Sequence, residues 1–301
     1  MKDNWKVSEP GEHYFGGDWT SEKLARLRKY LAAYSKIMAK QRFEYAYIDA
    51  FAGTGYISRT LTDEAEIGLF KDLGGDETVA FIDGSVKTAL EIQPSFCKYI
   101  FIEKDRSRVS ELQKTCDEYP DLSGRIQIVN EEANRFLQNL CDNRNWKGHR
   151  AVLFLDPYGM QVEWKTIESI AKTKAIDMWL LFPLGMSINR MLTRDSEMPR
   201  AWEEKLDNFF GTHAWKEAFY KQDISETLFG EITETVKSCN YETIGSFFVD
   251  RLRTIFPAVA ENPLTLCNSK NVPLFLLCFT AGNEKGGKIA KRIAEHILGR
   301  K

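Results

Sequence analysis

The chain has 301 residues, with 41 Lys and Arg against 43 Asp and Glu, a net charge of −2 and 43% hydrophobic residues. That balance excludes a polycation that coats nucleic acid over its whole surface, and leaves any such contact to a local basic patch. No apolar run nears the ~20 residues of a membrane span, Met1–Lys6 lacks a signal-peptide core, and the six cysteines and four histidines show no ligand-like spacing, so a cytoplasmic protein with reduced thiols and no metal centre is expected.

The first element is a helix over about Ser21–Lys40, with Leu24, Leu27, Leu31, Tyr34 and Met38 on one face. Its charges are lopsided, with Lys23, Arg26, Arg28, Lys29, Lys36 and Lys40 against Glu22. Residues 1–43 therefore form a basic N-terminal unit that can hold a phosphate backbone, with Lys23 and Arg26 as the candidate contacts. The alternative is an ordinary solvated face.

Apolar runs then alternate with amphipathic stretches. Strands are expected over Tyr45–Ala50, Tyr99–Glu103, Ile126–Asn130, Val152–Asp156 and Ile176–Phe182. They are β-branched or aromatic and largely unalternated, which implies burial on both faces. Helices are expected over Ser85–Ile92, Arg106–Glu118, Ala133–Cys141 and Glu163–Lys172. A long connection, 56–83, interrupts the first strand–helix step and has the length of a functional loop. Residues 186–260 read as a mostly helical insert, a lid or substrate region, with Trp202, Phe209, Phe210, Trp215, Phe219 and Phe247 as its core. Pro263–Cys267, a turn at Asn268–Asn271 and Pro273–Thr280 read as an antiparallel hairpin, and a helix over about Lys285–Leu298 closes the chain. The expected fold is α/β: one doubly wound, mostly parallel seven-stranded sheet with a terminal antiparallel hairpin. A seventh strand laid antiparallel beside the fifth marks the class I S-adenosylmethionine-dependent methyltransferase fold.

In such a sheet, ligand chemistry gathers at the carboxyl ends of the strands. The first strand ends in Asp49-Ala50-Phe51-Ala52-Gly53-Thr54-Gly55, an acid followed by a glycine turn. The second ends in Glu103-Lys104, where a carboxylate can accept both ribose hydroxyls. The third runs into Asn130-Glu131-Glu132, where Glu132, or failing it Glu131, can accept from an adenine amine. The fourth ends in Asp156-Pro157-Tyr158-Gly159. A dinucleotide is disfavoured, because the turn lacks the third glycine of G-x-G-x-x-G and does not open directly into a helix. The acid-rich strand ends suit the phosphate-free, cationic S-adenosyl-L-methionine. Asp49, Phe51, Gly53, Gly55, Glu103, Lys104 and Glu132 are its candidate contacts, with Asp49 beside the sulfonium. Each acid also has a plainer use: Glu103 as a helix cap, Glu131 or Glu132 as solvated acids of a first helical turn.

Tyr47–Gly55, Asp83-Gly84-Ser85, Tyr99–Glu103, Leu155–Gly159, and the first helix with Lys23-Leu24 and Tyr30-Leu31 resemble the three-Cys-motif partner family over nearly the whole chain. The resemblance implies a methyltransferase-like fold and an association with a radical-SAM-type protein that carries three cysteines. It implies little about the substrate.

Asp156-Pro157-Tyr158 is similar to the motifs of two groups of amine methyltransferases: the Asp/Asn-Pro-Pro-Tyr/Phe of nucleic-acid amino-methyltransferases, from which it lacks the second proline, and the Asp-Pro-Tyr/Phe-Gly of tRNA guanine-N2 dimethyltransferases. The physics is common to both. An exocyclic amine is a poor nucleophile, because its lone pair is delocalised into the base. Asp156 and a main-chain carbonyl can accept its two N–H groups and turn the lone pair toward the methyl group, while Tyr158 stacks on the base. The alternative is that Asp156-Pro157 only ends a strand. Arg190, in Gly185–Arg190 after the fifth strand, is a candidate substrate wall. Three functions follow: methylation of a nucleobase amine in RNA or DNA, methylation of a small molecule or protein, and a non-catalytic partner that keeps the fold.

Overall fold

The structure is a computed structural model that describes residues 18–53, 84–157, 159–227 and 230–299. Gly55, Tyr158, the 56–83 connection, Asp83 and residues 1–17 lie outside the described residues.

Five parallel strands form the heart of the sheet: β1 (Glu44–Asp49), β2 (Lys98–Ile102), β3 (Ile126–Val129), β4 (His149–Leu155) and β5 (Ile176–Phe182). All seven residues of β5 are buried, which is why its sequence shows no polar alternation. The order is β3-β2-β1-β4-β5, and the chain reverses direction across the sheet between β1 and β4. A crevice therefore opens at the carboxyl ends of these two strands. Beyond β5 lies β10 (Pro273–Ala281), antiparallel to it from Leu276 to Ala281. This is the strand order of the class I methyltransferase fold.

The sheet has eight strands instead of the expected seven, because its outermost position is split. β9 (Leu264–Cys267) pairs with Pro273–Leu277 and β8 (Ala258–Val259) pairs with Thr280 and Ala281. Pro263 lies between the two, where a residue without an N–H cannot continue the ladder.

Alternate residues of the central strands enter two cores. Ile48, Ile100, Leu153, Leu155, Met178 and Leu180 meet α4 (Ala133–Asn143), α5 (Trp164–Lys172), α6 (Arg200–Phe210) and α8 (Tyr241–Arg253). Tyr47, Tyr99, Phe101, Phe154, Trp179 and Leu181 meet α1 (Asp18–Met38), α2 (Gly84–Leu90), α3 (Arg106–Asp117) and α9 (Gly287–Gly299). The second core is rich in aromatic edges: Tyr30 of α1 lies 5.3 Å from Trp179 and donates to Asp177 at 2.8 Å.

The 186–260 insert departs from expectation. Phe209, Phe210, Trp215 and Phe219 are buried as foreseen, and Trp202 and Phe247 pack against the same core. Between α7 (Trp215–Phe219) and α8, however, stands an antiparallel ribbon, β6 (Tyr220–Thr227) with β7 (Gly230–Lys237). Ile224, Thr233, Thr235 and Val236 favour a strand through their branched β-carbons. The helical aromatic spacing on either side outweighed that local signal in the sequence.

Among the described residues, no helix is long and apolar enough to cross a membrane, and no group of His, Cys, Asp and Glu is arranged to hold a metal.

Candidate functional site

β1 delivers Asp49 to the switch point with no exposed surface. Its carboxylate accepts from the Tyr47 hydroxyl at 3.2 Å, from the Phe51 N–H at 3.3 Å and from Ser85 at the start of α2. Burial raises its pKa to about 6, and the charge of Asp156 acts in the same direction against the lowering effect of the three donors. Phe51 is half-buried against the α4–α5 core.

The glycine turn folds back over β2. The Ala52 N–H donates to the Ile102 carbonyl at 3.0 Å. This brings Gly53 beneath the Glu103 side chain, so closely that a β-carbon on Gly53 would stand 1.6 Å from Glu103 Oε2. Any side chain at this position would displace the Glu103 carboxylate. Glu103 is 7% exposed, and its Oε1 accepts from the Asp105 N–H at 2.7 Å. Asn130, one residue past β3, donates to both the Glu103 and Lys104 carbonyls at 2.9 Å and fixes that turn. The Lys104 side chain is exposed.

Glu132 caps α4. One carboxylate oxygen accepts from the Asn134 backbone and side-chain N–H groups at 3.0 and 2.9 Å, the other from the Arg135 N–H at 2.8 Å. Its first engagement is with orphan donors of the helix, the kind of plain use weighed against the adenine role. Glu131 pairs with Arg135 at 3.2 Å. Asn134 adds a link the sequence reading did not include: it donates to the Gln161 carbonyl and accepts from Glu163 N–H and the Thr166 hydroxyl. The loops after β3 and β4 are thereby tied together.

At the end of β4, Asp156 has a side chain 19% exposed, and Pro157 is buried. Gly159 has φ +66°, a left-handed conformation suited to glycine, and sits against Ser187. Ser187 belongs to a π-helical turn, Leu184–Ile188, directly after β5. Such turns recur at functional sites. Arg190 follows, exposed, in a segment pinned by Lys237, whose ammonium donates to the Asn189 and Leu192 carbonyls at 3.0 and 3.2 Å.

Lys23 and Arg26 require a correction. Neither presents its charge to solvent: Lys23 has no exposed surface and Arg26 has 6%. Lys23 donates to Asp156 Oδ2 at 2.5 Å and lies over the rings of Trp19 and Phe154. Arg26 donates to the Ile297 carbonyl of α9 and to Glu22. The reason is helical period. Positions 23, 26, 27, 30, 31 and 34 form one stripe, and all six are buried. The solvated cations of α1 are Arg28, Lys29 and Lys36, on its other side, with Lys40 exposed just past its end.

Asp49, Gly53, Glu103, Asn130 and Asp156 therefore occupy successive strand ends on both sides of the switch point. The set fits S-adenosylmethionine: the carboxylates of Asp49 and Asp156, the first with a raised pKa, gain from a cation, and the bare Gly53 lies directly under Glu103. The pH dependence of that fit can be measured. As pH rises through about 6, Asp49 ionises and attracts a sulfonium but not the neutral thioether. The affinity ratio of S-adenosylmethionine to S-adenosylhomocysteine should rise about 3- to 10-fold from pH 5 to 7.5, and Asp49→Asn should flatten it in calorimetric titrations.

No protein-family model matches the chain, and no curated protein matches it. Solved structures do. Protein LPL1258 from Legionella pneumophila aligns over 94% of this chain and 92% of its own at 14% identity, with a TM-score of 0.47. Spermidine synthase from Thermotoga maritima aligns over 89% and 61% at 10% identity, with a TM-score of 0.40. The 23S rRNA methyltransferase ErmE aligns over 70% and 68% at 9% identity, with a TM-score of 0.28. The fold assignment rests on the strand order described above and not on these likenesses.

Proposed function

We propose that the protein is an S-adenosylmethionine-dependent methyltransferase whose acceptor is an exocyclic amine of a nucleobase in RNA or DNA. The observation that carries this reading is the convergence of Asp49, Gly53, Glu103 and Asp156 on one crevice of a methyltransferase-type sheet. Glu103 would hold the nucleoside end, and Asp49 and the Phe51–Gly53 turn the amino-acid end. The cofactor supplies an electrophilic methyl group when bound. Asp156 accepts an N–H of the acceptor amine, which localises the nitrogen lone pair and takes up its developing positive charge. The resemblance to the three-Cys-motif partner family adds the proposal that a radical-SAM-type protein works alongside this chain.

A second reading, a basic protein or small-molecule acceptor, is favoured by charge. Burial of Lys23 and Arg26 removes two cations from phosphate contact. The exposed β6–β7 ribbon also carries Asp223, Glu226, Glu231 and Glu234, which repel a polyanion.

The deciding experiment supplies methyl-labelled S-adenosylmethionine with total RNA, DNA, protein and small-molecule fractions. Label in nucleic acid that depends on Asp156 supports the first reading. Label confined to protein or small molecules replaces it with the second. Cofactor binding with no acceptor labelled leaves a non-catalytic partner role.

A further inference from the structure

We propose that Lys23 is a positioning residue for methyl transfer, one that holds Asp156 with Oδ2 turned inward so that its other oxygen faces the acceptor. This rests on the reading of Asp156 given above. The geometry is asymmetric. Lys23 is wholly buried, whereas the Asp156 side chain keeps 19% of its surface. The lysine thus binds the carboxylate from behind, through α1, and does not line the crevice. Its 2.5 Å contact engages one oxygen, and the acceptor amine meets the rest of the carboxylate.

Charge supplies a second reason for a lysine here. Lys23 of α1 pairs with Asp156, and Asp49 and Tyr47 of β1 lie within electrostatic reach of it. Asp49 and Asp156 repel each other across the switch point, and Lys23 is the cation that offsets them. A methionine of the same length would sit between Trp19 and Phe154 without the desolvation cost of an ammonium. A lysine at position 23 is explained by the carboxylate it serves. One consequence concerns the acceptor: with Oδ2 taken, Asp156 receives a single N–H, and the second N–H of a primary amine must go to another acceptor.

The test compares wild type, Lys23→Met, Asp156→Asn and the double variant, all at a temperature where circular dichroism shows each folded. Lys23→Met should lower kcat for methyl transfer by about 10- to 100-fold, the scale of a misplaced reacting group, with KM for S-adenosylmethionine within about twofold of wild type. The double variant should be no slower than Asp156→Asn, because Lys23 acts only through that carboxylate. If Lys23→Met does not fold, the comparison of the double variant with Asp156→Asn still decides, since the double variant carries no charge at either position. Wild-type kcat in Lys23→Met, or losses that multiply in the double variant, overturns the proposal and leaves the function standing. A wild type that methylates no acceptor overturns both.

Discussion

Asp156→Ala should lower methyl transfer by about 10²- to 10⁴-fold, the range for removal of a group that manages the reacting proton. The same change should destabilise the protein. Lys23 has no exposed surface and pairs with Asp156 at 2.5 Å, so removing the carboxylate takes an anionic partner from a buried ammonium. Breaking such a pair costs about 3–5 kcal/mol, which for a chain of this size lowers the melting temperature by roughly 6–10 °C. Two readouts separate the effects. Calorimetry reports the loss of the ion pair, and restoring neutrality with Lys23→Met in the Asp156→Ala background should recover most of the melting temperature. Transfer of labelled methyl should not recover. If stability and transfer return together, Asp156 is a structural anchor for α1 and nothing more.

Gly53→Ala should eliminate cofactor binding. The added β-carbon would stand 1.6 Å from Glu103 Oε2 and 2.4 Å from its carboxyl carbon, so either the turn or the carboxylate must move. Glu103 is tied through Oε1 to Asp105 and through its own carbonyl to Asn130, which leaves it little freedom. In wild type, S-adenosylhomocysteine at 100 times its dissociation constant should stabilise the protein by about 2.7 kcal/mol. Gly53→Ala should show no such shift. The companion variant, Gly53→Ala with Glu103→Ala, removes the clash and should regain the unliganded melting temperature, yet still bind weakly because the ribose acceptor is gone. Glu103→Ala alone should weaken binding by about 10- to 100-fold, the scale of a charged hydrogen bond of 1.5–3 kcal/mol. A wild-type shift in Gly53→Ala would place the ligand away from this turn.

Particular residues show how far the sequence could be followed. β5 was legible because Ile176–Phe182 has no polar residue in alternation except Asp177, and unbroken apolar runs belong to strands covered on both faces. Asp49 and Glu103 were legible because each ends such a run. Position alone carries an acid at a strand end to the switch point in this topology. Glu132 shows where that logic stops: the rule placed it at the end of β3, but whether its oxygens serve a ligand or the N–H groups of α4 depends on backbone angles that no local pattern encodes. The β6–β7 ribbon was missed for a related reason. Its strand propensity is modest, and a two-stranded ribbon depends on its neighbours for stability, so the aromatic spacing of the flanking helices dominated the reading.

Lys23 marks the boundary most sharply. Its helix, its stripe and even its phase relative to Leu27, Tyr30 and Tyr34 are written in the spacing of the sequence, because the helical period is a local property of the backbone. A lysine on that stripe reads as a surface cation, since burial of an ammonium is costly unless a partner meets it. The partner lies 133 positions away at the end of β4. By itself the sequence determined the order of the five parallel strands with their helices and the strand ends that gather the acids. Only the tertiary structure decided which charges face water and which face one another, because that choice follows from long-range packing of α1 across the sheet. It turned a proposed phosphate contact into the residue that holds Asp156.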